Sequence, residues 1–259
     1  MKSPLRKRLP RELKSEFGKY LVVFIMMAIT IGFVSGFLVA DGSMLRAYDD
    51  SFQKYNIEDG YFQTKKKLTP AQKEDIEKSD VKVYENFYIE QKLTNGSTIR
   101  FFKNRKEVDK VCLMNGKMPK KSGEIAVDRM YADNNELKVG DTVKSRKKTF
   151  RITGLVALSD YSALFQNNND TMFDAVKFGV AIVTDKDFEA LNQVKVQYNY
   201  AWIYDKKPAT EKKEKKMAED LMEDMADVVT IESFVPQYQN QSIHFTGDDM
   251  GSDRAMIVM

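Results

Sequence analysis

The sequence predicts an α+β chain with one N-terminal transmembrane helix, followed by an extracytoplasmic α+β domain that carries an inserted β-rich subdomain. Three observations predict it. An uncharged run from Tyr20 to Ala40 is long enough to cross a bilayer. Basic residues crowd the N-terminal side of that run. Beyond it, strand–helix–strand patterning near both ends of the remaining chain flanks a middle that reads as all-β.

The span comes first. Crossing a hydrocarbon core of ~30 Å takes about 20 apolar residues, and residues 20–40 supply them. A cleaved signal peptide is the competing reading. Its apolar region is usually only ~7–15 residues, and Leu38 stands where a cleavage site wants a small residue. An uncleaved span is the better fit. Residues 1–19 hold seven Lys and Arg against Glu12 and Glu16, a net charge of +5, whereas the remainder of the chain carries −2. Basic flanks stay on the cytoplasmic side, so the N-terminus is expected inside and the chain after Ala40 outside, at the cell membrane. Within 1–19, Leu5, Leu9, Leu13 and Phe17 repeat every four residues. They fit an amphipathic helix on the inner membrane surface, or simply a positively charged flank.

Inside the span, Ala28, Gly32, Gly36 and Ala40 fall at every fourth position. Small residues at that spacing let helix backbones approach closely in lipid. The stripe is therefore expected to meet other transmembrane helices of the same protein or of a second copy; chance composition is the plainer alternative. At the far end, residues 251–259 finish in an uncharged run, Ala255 to Met259, after Arg254. That run reads as the start of a second span, which would make the chain the N-terminal part of a polytopic membrane protein.

Residues 41–250 form the expected outer domain. "ADGSMLRAYDDSFQKYN" continues the span as a stalk, and "IEDGYFQT" reads as a strand. Thr69 and Pro70 open a short helix to about Lys78. "VKVYENFYIEQKL" is expected as one strand with Val81, Val83, Phe87, Ile89 and Leu93 on one side, and Asn95-Gly96 turns the chain into "STIRFF". A short strand over 124–127 precedes a helical piece, then "LKVGDTVKS" and "KTFRITGLVAL" form two strands. "KFGVAIVT" is a strand, "DKDFEALNQ" a helix capped by Asp185, and "VQYNYAWIYD" a strand. "TEKKEKKMAEDLMEDMAD" is a charged helix burying Met217, Leu221, Met225 and Val228, and "VVTIES" is the last strand. The β-rich insertion is placed at about 94–175. In the irregular stretch before "KFGVAIVT", Tyr161, Phe165 and Phe173 serve either as core or as a contact surface.

Composition excludes several functions. The charge distribution argues against a nucleic-acid binder. Cys112 is the sole cysteine, so no disulfide framework exists. His244 is the sole histidine, which leaves no basis for a His-rich metal site or a Ser-His-Asp relay. No G-x-x-x-x-G-K-[ST] phosphate loop is present. With 31% charged residues, no catalytic carboxylate pair stands out.

"NGKMPKKSGEIAV", "LKVGDTV" and "FRITGLV" together resemble the extracytoplasmic core of MacB-like and FtsX-like ABC transporter permeases. The matching positions are Gly116, Pro119, Gly123, Glu124, Ile125, Leu137, Val139, Gly140, Asp141, Phe150 and Gly154; Lys117 departs from a frequent Arg. They read as scaffold: Gly140-Asp141 suits a tight turn, and Gly154 a turn or close strand packing. The resemblance implies a mechanical transmitter rather than an enzyme. A separate ABC ATPase subunit would bind ATP, this chain would hold no cofactor, and the outer domain would move with the spans. Members of the family export peptides or drugs, move lipoproteins, resist antimicrobial peptides or activate cell-wall hydrolases. The alternative is a membrane-anchored extracellular sensor or binding module, which needs neither the small-residue ladder nor a second span.

Overall fold

A computed structural model describes residues 14–145, 148–191 and 196–245. The described residues divide into two units, one up to Tyr48 and the other from Asp49 onward. Most of the expected amphipathic segment and all of the expected second span lie outside the described residues.

Helix α1 spans Phe17–Tyr55 without interruption, 39 residues. At 1.5 Å per residue it is about 58 Å long. No proline interrupts it, and its hydroxyls bond back to the preceding turn: Thr30 Oγ1 donates to Met26 O at 2.9 Å and Ser43 Oγ to Val39 O at 2.8 Å. It is long and apolar enough to cross a membrane, and its apolar window is wholly unburied. The helix stops in a Schellman turn. Asn56 adopts φ +51°, Ile57 N–H donates to Phe52 O at 3.0 Å, and Asn56 N–H to Gln53 O at 3.3 Å.

The outer unit contains two sheets. The first is built from β1 (Gly60–Thr64), β2 (Val81–Glu85), β10 (Tyr198–Tyr204) and β11 (Ile231–Pro236) in the order β11-β1-β10-β2, all antiparallel. Helix α2 (Pro70–Glu77) joins β1 to β2, and α5 (Glu211–Val228) joins β10 to β11. This is a split βαβ arrangement, interrupted between its two halves. Both helices cover one face, where Ile76, Leu221 and Met225 pack on Phe62, Tyr200 and Trp202. Thr69 caps α2 in a reciprocal capping box with Gln72, and Pro70 occupies its first turn. Thr210 caps α5.

The second sheet is inserted between β2 and β10. It contains β3 (Tyr88–Lys92), β4 (Thr98–Lys103), β5 (Cys112–Gly116), β6 (Glu124–Asp128), β8 (Thr149–Ala157) and β9 (Phe178–Val183), in the order β3-β4-β9-β6-β8-β5, with β7 (Thr142–Lys144) against β8. Helix α3 (Arg129–Asn134) follows β6, and α4 (Asp185–Leu191) follows β9. The β4–β9 and β6–β8 pairs are parallel, so the sheet is mixed.

Three expectations are corrected. The insertion is wider than 94–175, because β3 begins it at Tyr88 and β9 and α4 also belong to it. β9 is buried at every position and lies between β4 and β6; an unbroken apolar run is the mark of a central strand. "VKVYENFYIEQKL" is not one strand. It breaks at Asn86-Phe87, where the chain passes from the first sheet to the second. The cap of α4 is Thr184, whose Oγ1 accepts from Asp187 N–H at 3.2 Å, not Asp185. Tyr161 and Phe173 pack on the second core, and Phe165, Phe173 and Phe245 form a ring cluster with centroids 5.3–5.7 Å apart.

Trp202, the sole tryptophan, is fully buried in the first sheet and reports its unfolding. Leu221→Ala should lower stability in urea, followed by tryptophan fluorescence, by about 2–5 kcal/mol. Met222→Ala, at an exposed neighbour, should stay within about 0.5 kcal/mol of wild type.

Candidate functional site

The Schellman stop of α1 delivers residues 56–59 to the place where the two sheets come together. The β4–β5 loop clasps this end of the helix. Lys110 N–H donates to Tyr55 O at 2.8 Å and Asp109 N–H to Asn56 O at 3.0 Å. Asn56 Nδ2 donates to Glu107 O at 2.7 Å, and Glu58 N–H to Asp109 Oδ1 at 2.9 Å. Asp109 is fully buried and adopts φ +46°. On the other side, Asp59 N–H donates to Trp202 O and Gln237 N–H to Asp59 O, both at 2.8 Å. Asp59 Oδ2 accepts Tyr204 N–H at 2.9 Å, and Lys207 forms an ion pair with the same carboxylate. The end of α1 is therefore bonded to the β4–β5 loop at Tyr55, and the residues that follow it, to Asp59, join that loop and the first sheet through backbone groups.

Arg105 holds the clasp in place. It grips Asp160 with two parallel hydrogen bonds of 2.6 and 2.8 Å, and both side chains are buried. The guanidinium also donates to Asn86 Oδ1 at 3.3 Å, lies 4.0 Å from Asp109 and stacks on Phe102. Asn86 Nδ2 returns a bond to Asp109 Oδ2 at 3.2 Å, and Asn86 N–H donates to Asn199 O at 2.9 Å. Arg105 thus ties its own β4–β5 loop to the β2–β3 crossing and the 159–161 turn, and Asp109 carries the connection to the residues after α1.

Burial governs the electrostatics. It pushes Glu58 well above the usual carboxylate range, helped by the charges of Asp109 and Asp160. It pushes Asp109 up to about 7, with Asp160 adding to the rise and Arg105 opposing it. For Arg105 burial acts the other way, but Asp160 and Asp109 outweigh it and hold the guanidinium above its ordinary value. Removing one partner of such a buried pair strands the other and costs about 3–5 kcal/mol.

The residues anticipated from sequence lie elsewhere. Ala28, Gly32, Gly36 and Ala40 occupy the exposed apolar part of α1; a Cβ at Gly32 or Gly36 would meet nothing within 4 Å. The family-motif residues gather where β5, β6 and β8 meet. Gly116 and Gly154 face each other across β5–β8. A Cβ would lie 2.3 Å from Thr153 O at Gly116, whose φ is +75°, and 2.6 Å from Lys117 O at Gly154. Val139 leans over Gly116, and Leu137 packs on the second core. Gly140, at φ +107°, donates its N–H to Ile152 O at 2.8 Å, and Asp141 Oδ2 accepts Lys138 N–H at 2.8 Å, so this turn leads into β7. Glu124 Oε2 accepts the N–H groups of Lys120 and Lys121, which hold its carboxyl below the ordinary value. Pro119 lies just before them, and Gly123 N–H donates to Asp187 Oδ2 at 2.8 Å. These residues set turns and close strand approaches, and they are separate in the fold from the clasp.

Sequence reasoning missed Glu58, Asn86, Arg105, Asp109 and Asp160. The four-residue spacing of Arg105 and Asp109 was a signal, but many such pairs occur in a chain with 31% charged residues. Among the described residues no three His, Cys, Asp or Glu side chains are grouped as they would be to hold a metal ion.

Fold and site define a class: a chain with one long exposed apolar helix whose end is built into the junction of a split α+β domain and an inserted mixed sheet. No family model and no curated protein matches the sequence. Among solved structures, the chain is similar to the extracellular domain of the noncanonic ABC-type transporter YknZ from Gram-positive bacteria, with 12% identity, 68% of this chain and 97% of that chain covered, and a TM-score of 0.36. It is also similar to the periplasmic region of MacB from Actinobacillus actinomycetemcomitans, with 13% identity, 75% and 78% covered, and a TM-score of 0.32.

The raised carboxyls set a pH dependence. Below about pH 4 Glu58 and Asp109 hold their protons whether the chain is folded or not, and burial costs little. As pH rises toward 7 the unfolded chain releases them first, so the folded state loses stability through this window. Glu58→Gln removes one of the two titrations, whereas Asp128, raised to about 6 by burial, is common to both proteins. Relative to wild type, the variant should become progressively more stable as the pH of urea titrations is raised from about 5 to about 8.5. A constant difference across that range would contradict the assignment.

Proposed function

We propose that this chain is the permease-type membrane component of an ABC-type export or mechanotransmission complex, driven by an ATPase on a separate chain. One observation carries the reading. α1 continues without a break from its exposed apolar stretch to the clasp, where Tyr55 bonds to the β4–β5 loop and Asp59, just past the helix end, bonds to the first sheet. A tether alone has no need of that construction, since a flexible linker would suffice. A shift of the helix end at residues 49–55 would be passed to the β4–β5 loop and the first sheet.

Other features support the same reading. The motif "NGKMPKKSGEIAV…LKVGDTV…FRITGLV" resembles that family, and the given sequence contains no phosphate loop, which fits ATP binding by a partner chain. The basic residues before Tyr20 favour a cytoplasmic N-terminus, with residues 49–249 outside the cell membrane. The small-residue stripe favours contact with further transmembrane helices. The second reading, a membrane-anchored extracellular sensor or binding module, draws on a polar cavity in the outer unit. It requires no helix partner for α1.

The two readings differ in what Gly32 and Gly36 must do. In the full-length protein purified from native membranes, ATP hydrolysis should co-purify with wild type. Gly32→Leu or Gly36→Leu should reduce it about tenfold by forcing the close helix contact apart. Val23→Leu and Val34→Leu, on the opposite side of the helix, should change it less than about twofold. Equal tolerance at both sets of positions, or no associated hydrolysis, would reject the permease reading.

A further inference from the structure

The first sheet has two unlike faces. Along β1, Phe62 and Thr64 face the helices, while Tyr61 and Gln63 face the second sheet. The second sheet does not close against that polar face. A cavity of about 390 Å³ remains between them, at the small end of the range for ligand sites. Its wall is made mostly of carboxamides, hydroxyls and tyrosines from β1, β10, β11, β3 and β4, and from the loops at 166–169 and 239–242.

Its charges are already spent on one another. Arg100 donates to Glu90 Oε1, to Tyr161 Oη at 2.6 Å and to Gln166 O at 2.8 Å. Asp160 is held by Arg105. Burial, with the charge of Asp109 beside it, holds the Glu58 carboxyl well above its ordinary range and disfavours its charged form. What is left over is hydrogen-bonding capacity. Asn199 and Glu58 line the cavity and are more than nine-tenths buried, and Asn199 Oδ1 and Glu58 Oε2, set just beneath its surface, have no hydrogen-bond partner among the described residues. Buried polar atoms without partners are uncommon in folded proteins and call for one from outside the chain.

We propose that this cavity is a binding site for an uncharged, polyhydroxylated ligand, a saccharide of about one or two rings. Sugar hydroxyls both donate and accept. With a small turn of the Asn199 and Glu58 side chains toward the cavity, they would donate to Asn199 Oδ1, pair with Glu58 Oε2 in either direction, and accept from the carboxamide N–H groups around them. A charged ligand would find no free counter-charge, and an apolar one would leave the wall unsatisfied. The site does not depend on whether the chain works with an ATPase.

The test uses the full chain in a detergent without a sugar headgroup. Saturation-transfer NMR is recorded with glucose, cellobiose, N-acetylglucosamine and chitobiose. Their methyl glycosides are run alongside to separate free sugars from a glycan chain end, and ethylamine serves as a small cation. At least one saccharide should bind saturably with a Kd in the millimolar range or tighter. Glu58→Gln and Asn199→Leu should each weaken it about tenfold or more, with unchanged tryptophan fluorescence as the check on folding. Should either variant unfold, Ser233→Phe, which fills the cavity from β11, should abolish binding. No saccharide binding at about 50 mM, binding indifferent to the variants, or binding of ethylamine in place of sugars would each overturn the proposal.

Discussion

The two-pronged grip of Arg105 on Asp160 is the constraint on which the outer unit depends. It joins the β4–β5 loop to the β2–β3 crossing and the 159–161 turn, and it neutralises a region that also contains Asp109 and Glu58. A buried ion pair contributes little net stability compared with apolar packing, because desolvation offsets most of the attraction. Its contribution here is positional. With Asp160 fixed, the β4–β5 loop has one place to go, and from there its backbone reaches the end of α1. Apolar side chains at these sites could pack, but they could not orient Asn86 and the loop together.

The same junction explains why an interrupted βαβ domain stays together. The insertion leaves the first sheet after β2 and returns before β10, so the two chain crossings lie side by side. Asn86 at the exit donates its N–H to Asn199 O at the re-entry. The polar face of the first sheet is then turned toward the second, which leaves a polar cavity rather than a second apolar core. Beyond the seam each sheet has its own core, one under α2 and α5 and the other around β9.

Local signals in the sequence were legible because their physics is local. Thr69-Pro70, Asn95-Gly96 and the apolar face of α5 each specify their geometry within a few residues. The motif residues fall in the same class: Gly116 and Gly154 are glycines because a backbone carbonyl occupies the space of a side chain. The break at Asn86-Phe87 was not legible. Its cause is a change of partner from β10 to β4, and alternation carries no information about partners. β9 was legible as a strand but not as the centre of the other sheet. The clasp was hidden for a third reason, since its charges are ordinary residue types made unusual only by where the fold buries them.

Native-state hydrogen exchange on the full-length protein tests most directly whether the end of α1, the β4–β5 loop and both sheets open together. The amides of Glu58, Asp109 and Lys110 should exchange only through the opening that also releases β1 and β4, with equal opening free energies and equal sensitivity to urea. Exchange at these three amides about a hundredfold faster than in the strands would show a loose loop beside a rigid domain, and α1 would then be a tether and not part of the fold.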